Sequence, residues 1–211
     1  MFDQLFIDND FVPPAAGRRF DAVDPATEQR LATLALADAA DVDRAVRSAH
    51  RAFAHWRRTT PAERTRLLLR AAAVIAGRSD EIARLETLDM GKPLRESLAN
   101  VARSVRTFEY AAGATDKLEG QSIPVDARSF NFTHLEPVGV SAHITPWNYP
   151  FANACRSLPV ALAAGCTAVV KPASETCLST LLLGDVLREA GFPPGVVNVV
   201  TGSGSEAGAA L

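Results

Sequence analysis

The stretch LPVALAAGCTAVVKPASET, residues 158–176, decides the fold class of this sequence. Its first part completes an apolar helical segment that ends at Gly165, and glycine is the residue type that most often terminates a helix. The residues CTAVV then form a short apolar run that is typical of a buried strand. The segments VGVSAHI and GVVNVV, on either side of this unit, have the same strand character. Short apolar strands that alternate with helices predict a parallel sheet covered by helices on both faces.

The residues before this unit follow other patterns. Residues 1–36 mix short apolar runs with turn signals, which predicts short strands and loops. From Asp38, apolar residues recur with helical spacing in four successive segments, and TPAE predicts a capped helix start at Thr60. From Glu119, extended segments with partial alternation predict a β hairpin or arm.

The composition argues against several classes of protein. The net charge of -2, from 22 basic and 24 acidic residues, gives no reason to expect a nucleic acid or an anionic membrane as a partner. No apolar run approaches the roughly 20 residues of a membrane span, and the acidic start of the chain does not fit a signal peptide. Three cysteines without metal-binding spacing predict reduced thiols. We therefore expect a cytoplasmic protein that spans no membrane and binds no metal.

Ligands of parallel α/β sheets bind at the carboxyl ends of the strands, so the residues after each predicted strand are the candidates for a site. These loops would share one edge of the sheet. The candidates after the three strands are Thr145, Pro146, Trp147, Asn148, Lys171, Ser174, Glu175, Gly204 and Gly208.

Two of these candidates have alternative interpretations. The amide of Asn148 could donate to an oxyanion, but Asn148 also precedes a predicted helix and could cap it. Lys171 could donate to ribose hydroxyls or to a phosphate, but it could equally be a surface lysine whose stem covers apolar neighbours. The spacing alone does not separate these alternatives.

The third loop and the cysteines are also ambiguous. GSGSEAG has the spacing G-x-G-x-x-x-G, one residue longer than the dinucleotide-binding fingerprint, and an ordinary glycine-rich turn is an equal alternative. Cys155 and Cys166 lie in apolar segments, which favours core packing. Cys177 lies near a helix start that could lower the pKa of its thiol, but no neighbouring base is visible in the sequence.

Four longer motifs together resemble the aldehyde dehydrogenase superfamily: ITPWNYPF, LPVALAAGCTAVVKPASET, EAGFPPGVVNVVTGSG and LDMGKPL. The similarity runs from about Phe6 to the last residue. It implies an α/β fold with an N-terminal helical layer over residues 1–118, a β arm for oligomerisation over 119–136, and an incomplete Rossmann-like βαβαβα unit over 137–211.

The resemblance also implies a reaction. Members of the superfamily oxidise an aldehyde to a carboxylic acid with NAD or NADP, through attack by a cysteine thiolate and hydrolysis of a thioester. Asn148 matches the side-chain amide that holds the oxyanion. The residues that match cofactor-binding positions are Ile144, Thr145, Pro146, Trp147, Lys171, Gly204 and Gly208. Homo-oligomers are expected of the full-length form.

Two departures from the family pattern qualify this expectation. Ser174 stands where NAD-preferring members often have a glutamate, with Glu175 one residue further, and the lost repulsion makes NADP plausible. None of the three cysteines matches the nucleophile, and the general-base glutamate is also missing. We therefore expect a partial, N-terminal chain that is inactive alone. The alternatives are a binding module that pairs with a longer relative through the arm, and a scaffold without a ligand.

Overall fold

The computed structural model describes residues 2–211. Its secondary structure comprises nine strands, six α-helices and one π-helical turn among these residues. The strands are β1 (Leu5–Ile7), β2 (Asp10–Val12), β3 (Arg19–Val23), β4 (Arg30–Ala35), β5 (Ser122–Ile123), β6 (Asn131–Phe132), β7 (Val140–Ile144), β8 (Thr167–Lys171) and β9 (Val197–Val199). The helices are α1 (Ala39–Trp56), α2 (Pro61–Gly77), α3 (Ser79–Met90), α4 (Leu94–Ala114), α5 (Pro150–Ala163) and α6 (Leu178–Glu189), and the π-helical turn is Gly204–Gly208.

The central sheet has five strands in the order β2-β1-β9-β8-β7. Strands β7, β8 and β9 are parallel, as the alternating pattern predicts, and their carboxyl ends share one edge. Strand β1 joins this sheet antiparallel to β9, through Phe6 opposite Val199. The parallel strands are thus as expected, and an N-terminal strand from about 190 residues away extends the sheet on this side.

Helices cover both faces of the sheet. On one face, α1 packs its apolar stripe, including Val42 and Ala45, against Val169 of β8. On the other face, α5 and α6 pack against Ala168, Val170 and Val199, and α2, α3 and α4 form a further layer outside them. The predicted α/β class is confirmed.

Local signals set the ends of several helices. The Thr60 hydroxyl accepts from the backbone N–H of Glu63 at 3.2 Å, and the Glu63 carboxylate accepts from the backbone N–H of Thr60 at 2.7 Å. This reciprocal pair satisfies two N–H groups that the first turn of a helix leaves free, so the predicted start of α2 is confirmed. Gly165 follows α5 with φ of 90°, a left-handed conformation that residues with a side chain rarely adopt.

The predicted arm is an antiparallel hairpin of β5 and β6, in which only two residues of each strand are paired. Its exposed apolar side chains include Ile123, Phe130 and Phe132, with relative exposures of 38%, 79% and 60%. Contiguous exposed apolar surface of this kind is typical of a segment that contacts another chain.

Within residues 2–211, no helix is both long enough and apolar enough to cross a bilayer.

Candidate functional site

The loops after β7, β8 and β9 meet at the carboxyl edge of the sheet. The backbone N–H of Thr145 donates to the carbonyl of Lys171 at 3.0 Å, and the hydroxyl of Thr176 donates to the carbonyl of Trp147 at 3.1 Å. Hydrogen bonds at Thr145 and at Trp147 therefore join the first loop to the second. The third loop follows β9, whose neighbour Val200 donates to the carbonyl of Val170 at 2.9 Å.

Asn148 is exposed and does not cap the following helix. Tyr149 occupies the capping position of α5, and neither its side chain nor that of Asn148 accepts a hydrogen bond from the first turn of that helix. Within the described part of the chain, the Asn148 amide has no hydrogen-bond partner. The helix-cap interpretation is therefore wrong, and the amide is available to a ligand.

The side chains around Asn148 are apolar and exposed. Ile144, Trp147 and Tyr149 have relative exposures of 60%, 58% and 45%, and Pro146 is also exposed. Large apolar side chains in water at a sheet edge indicate a surface that a ligand or another part of a protein covers. Thr145 is buried beneath them.

Lys171 is buried, with a relative exposure of 3%, so the surface-lysine interpretation is wrong. Its ammonium donates to the carbonyl of Pro172 at 2.8 Å. A Cβ added to Gly208 would lie 3.6 Å from Cε of Lys171, so the π-helical turn packs on the lysine stem. Burial lowers the pKa of Lys171, while Cys177 and Glu175 act in the opposite direction.

The glycine-rich stretch GSGSEAG forms a π-helical turn rather than the start of an ordinary helix. The hydroxyl of Ser203 accepts from the backbone N–H of Glu206 at 3.1 Å, and Arg18 binds the Glu206 carboxylate through two nitrogens at 3.1 and 2.9 Å. Nothing lies within 4 Å of a Cβ added to Gly204, so a bound group could approach the backbone there.

Ser174 and Glu175 lie in the wall of an open cavity of about 570 Å³. The hydroxyl of Ser174 donates to the Glu175 carboxylate at 3.3 Å. Trp147 and Thr176 line the same cavity, and the facing wall comes from β3 and the end of α3. Ser174 is half-buried and Glu175 is exposed.

The sequence reasoning missed a group of three buried charges at the end of α3 and just after it. The Glu86 carboxylate accepts from the backbone N–H of Phe151 at 3.2 Å, and the Asp89 carboxylate accepts from that of Leu178 at 2.9 Å. One helix end thus supplies acceptors to the first turns of both α5 and α6. The stretch ETLDMGK, residues 86–92, was the available signal, because its two carboxylates at i and i+3 share a helix face.

Lys92 completes this group. Its ammonium donates to the second oxygen of Glu86 at 2.6 Å and lies 4.3 Å from the centre of the Tyr149 ring. Burial raises the pKa of Asp89 to about 7, the Leu178 N–H lowers it, and the charge of Glu86 raises it further.

The cysteines are free and buried. Burial raises the pKa values of Cys155 and Cys177 far above the ordinary thiol range, and the Cys177 thiol donates to the carbonyl of Ala173 at 3.1 Å. These two thiols are therefore protonated at neutral pH, so a helix start does not activate Cys177. Within residues 2–211, no cluster of three or more His, Cys, Asp or Glu side chains could hold a metal ion.

The residues at this edge fit a dinucleotide cofactor. The Lys171 ammonium can make three hydrogen bonds and has one described acceptor, which leaves donors for ribose hydroxyls or phosphate. Trp147 and Ile144 offer exposed apolar surface to flat rings. The open backbone at Gly204 gives a phosphate access to N–H groups.

The sequence of this chain is similar to those of aldehyde dehydrogenases. The sequence profile described as "Aldehyde dehydrogenase family" matches residues 11–211. The yeast protein "Aldehyde dehydrogenase [NAD(P)+] 2", from Saccharomyces cerevisiae, is 43% identical over 98% of this chain and 42% of its own length.

Two solved structures superpose closely. PnpE in complex with nicotinamide adenine dinucleotide has a TM-score of 0.97 and 47% identity, over 100% of this chain and 44% of that one. The NAD+ complex of an aldehyde dehydrogenase from Bacillus cereus has a TM-score of 0.96 and 43% identity, over 98% of this chain and 43% of that one. The chain thus spans less than half the length of these relatives.

Proposed function

The chain belongs to the aldehyde dehydrogenase family, and from this premise we propose that it supplies the cofactor-binding edge and an oxyanion donor of an enzyme that oxidises an aldehyde to a carboxylic acid. The cofactor is NAD+ or NADP+, as the name of the yeast relative and the nicotinamide adenine dinucleotide bound in the two solved structures support. The observation that carries the proposal is the exposed, unpartnered amide of Asn148 beside Trp147 and the buried ammonium of Lys171.

Asn148 has a role at the step in which negative charge develops. When a thiolate attacks the aldehyde carbon, the carbonyl π bond breaks and its electron pair moves to oxygen. The Asn148 amide then donates to that oxygen and lowers the barrier, because a fixed donor does not have to reorganise. A nicotinamide bound along this edge would supply the acceptor for the hydride that leaves the same carbon. Water then cleaves the resulting thioester to the acid.

The cofactor-facing residues orient rather than react. Lys171 donates to the adenosine ribose or its phosphate, while Thr145, Pro146, Trp147 and Ile144 line the path of the cofactor at the end of β7. Gly204 and Gly208 lie in the turn that packs on Lys171 and approach the pyrophosphate and adenine region.

Ser174 and Glu175 set the choice between NAD+ and NADP+. A serine at position 174 carries no charge to repel a 2′-phosphate, and its hydroxyl holds the Glu175 carboxylate aside at 3.3 Å. We infer that NADP+ is accepted, alone or together with NAD+.

The nucleophile is none of the three cysteines. Cys155 and Cys177 are buried and protonated, and Cys166 is buried at the start of a core strand. The 211 residues alone therefore lack an exposed thiolate and do not oxidise aldehydes. We infer that the nucleophile and the general base come from sequence outside these residues, because the chain spans less than half the length of its relatives.

A second function is assembly through the arm. The arm exposes Val125, Phe130 and Phe132, and the ring centres of the two phenylalanines lie 5.5 Å apart with their planes tilted by 37°. Such a surface favours a homo-oligomer of the full-length form, or pairing of this chain with a longer relative.

The proposal is tested on the protein purified at its natural length from its own cells. Its intact mass is compared with the 22.5 kDa of this chain, and NADH or NADPH formation is followed with a panel of aldehydes. A mass near twice this value together with aldehyde-dependent turnover is the expected result. Turnover by the isolated 211-residue chain would overturn the assignment of the nucleophile to other sequence, and a natural-length protein without turnover would overturn the proposed activity.

A further inference from the structure

The segment ETLDMGK, residues 86–92, contains three buried charged side chains that the proposed function does not use. Glu86, Asp89 and Lys92 have relative exposures of 0%, 2% and 9%. Removing charges from water is costly unless each finds a partner, so a buried group of this kind needs specific contacts.

The contacts of Glu86 and Lys92 converge on the loop that carries Asn148. One oxygen of Glu86 accepts from the backbone N–H of Phe151 at 3.2 Å, and the other accepts from Lys92 at 2.6 Å. The Lys92 ammonium also lies 4.3 Å from the centre of the Tyr149 ring, within the range of a cation–π interaction. The pair therefore fixes the side chain one residue after Asn148 and the backbone three residues after it.

Asn148 depends on these neighbours for its position. It has no side-chain hydrogen bond within residues 2–211, so only the backbone on either side determines where its amide points. Upstream, the carbonyl of Trp147 accepts from Thr176 at 3.1 Å. Downstream, Tyr149 and Phe151 are held by Lys92 and Glu86.

We propose that Lys92 and Glu86 are positioning residues that aim the Asn148 amide at the substrate oxygen. This inference rests on the proposed function. An oxyanion donor must lie within about 2.7–3.1 Å of the developing charge, and a displacement of about 1 Å can cost on the order of 100-fold in rate. Loss of the clamp therefore lowers kcat and changes cofactor affinity little, because the backbone of Trp147 is still held by Thr176, and no described hydrogen bond joins Lys171 or the third loop to Glu86 or Lys92.

The first test compares Lys92→Met and Tyr149→Leu in the natural-length protein. Both remove the cation–π contact, and Tyr149→Leu leaves the buried Glu86–Lys92 pair in place, so it remains informative if Lys92→Met destabilises the fold. We expect kcat to fall about tenfold or more, with the dissociation constant of NADH, measured by fluorescence titration, changed less than twofold.

The matched control is Arg78→Met. Arg78 lies at the junction of α2 and α3 and pairs with Asp185 of α6 at 2.9 Å, so its loss weakens the same helical layer without touching residues 148–151. We expect a lower unfolding midpoint and an unchanged kcat. If Arg78→Met lowers kcat as much as Lys92→Met at equal loss of stability, the role of Lys92 is structural only.

The decisive measurement adds Lys92→Met and Tyr149→Leu to an Asn148→Ala background. If Lys92 and Tyr149 act through the Asn148 amide, neither change lowers kcat further once the amide is gone. A further loss by the same factor as in the wild type would overturn the positioning role. An active wild type with unaffected variants overturns this inference alone, whereas an inactive wild type overturns the proposed function from which it derives.

Discussion

The edge that carries Asn148 and the segment that carries Glu86 differ in almost every respect. Asn148 and Trp147 are exposed and their side chains have few contacts, whereas Glu86 and Lys92 are buried and each contacts two partners. Among the described residues, the Asn148 amide has no hydrogen-bond partner, whereas the Glu86 carboxylate and the Lys92 ammonium each contact two groups. Substitutions should therefore have different signatures in the two regions. Changes at Asn148 should lower activity without loss of stability, whereas changes at Glu86 or Lys92 should lower stability, together with the activity that depends on the position of Asn148.

The largest expected effect is on stability, from Glu86→Ala. Removing this carboxylate leaves the Lys92 ammonium buried without its ion partner and the Phe151 N–H without its acceptor. We expect the free energy of unfolding to fall by about 3–5 kcal/mol, measured by urea denaturation. Glu81→Ala is the control on the same helix, since Glu81 is half exposed and pairs with Arg78 at the surface, and it should cost about 1 kcal/mol or less. Equal losses would contradict the contrast between the two regions.

Asn148→Ala should lower activity and leave stability unchanged. The exposed amide has no described partner, so the unfolding midpoint should remain within the error of the measurement. The value of kcat in the natural-length protein should fall on the order of 100- to 1,000-fold, because one oxyanion donor is lost. Asn148→Asp should be no better, since a carboxylate repels the oxyanion. Retained activity in Asn148→Ala would exclude this amide as the donor.

Gly202→Ala tests how tightly the third loop is packed. An added Cβ would lie 2.8 Å from Cβ of Ala207 and 3.0 Å from the carbonyl oxygen of Ala37, so either the π-helical turn or the segment between β4 and α1 must move. We expect a loss of about 1–3 kcal/mol in the free energy of unfolding. Gly204→Ala is the control, because nothing lies within 4 Å of a Cβ added there, and it should change the free energy of unfolding by less than about 1 kcal/mol. An unchanged free energy of unfolding in Gly202→Ala would show that the π-helical turn moves at little cost.

Ser174→Glu tests cofactor choice. The new carboxylate would repel a 2′-phosphate and accept from the 2′-hydroxyl of NAD+, so the ratio of kcat/KM for NADP+ to that for NAD+ should fall about tenfold, equivalent to about 1.4 kcal/mol. Ser174→Gln, which has a similar size without the charge, should leave the ratio near that of the wild type. An unchanged ratio in Ser174→Glu would place the discrimination elsewhere.

The smallest effect concerns His143 on β7. Its Nδ1 is 2.8 Å from the Ser157 hydroxyl, its Nε2 is buried without a partner, and burial lowers its pKa below 6.5. The unfolded chain therefore binds a proton at a higher pH than the folded one, and stability falls as the pH drops below about 6.5 towards the folded pKa. The slope from one such group is at most about 1.4 kcal/mol per pH unit. His143→Asn should flatten this part of the pH profile of unfolding, and an identical profile would contradict a buried neutral histidine.

Much of the fold followed from local pattern. The capping box of Thr60 and Glu63, the left-handed Gly165 and the alternation of β7, α5, β8, α6 and β9 all involve residues that are near one another in sequence. The three site loops were predicted for a general reason, since parallel strands present their carboxyl ends at one edge. The long motifs then identified the family, while the roles of Asn148, Lys171 and the other site residues stay predictions.

The features that the sequence did not reveal all depend on distant partners. Burial of Lys171 requires the π-helical turn that packs on it, and the acceptor for the first turn of α5 is Glu86, 65 residues before Phe151. Strand β1 reaches β9 across about 190 residues. No periodicity or spacing encodes such pairs, because they arise when separately formed elements dock.

The sequence by itself determined which segments become helices and strands and which residues lie at the carboxyl edge of the sheet. Those outcomes depend on backbone preferences and on apolar spacing within a few turns of chain. Only the tertiary structure decided that the Asn148 amide is free, that Lys171 is buried, and that Glu86 and Lys92 hold the neighbouring loop. These depend on desolvation and on hydrogen bonds between distant residues, which exist only once the helices have packed on the sheet.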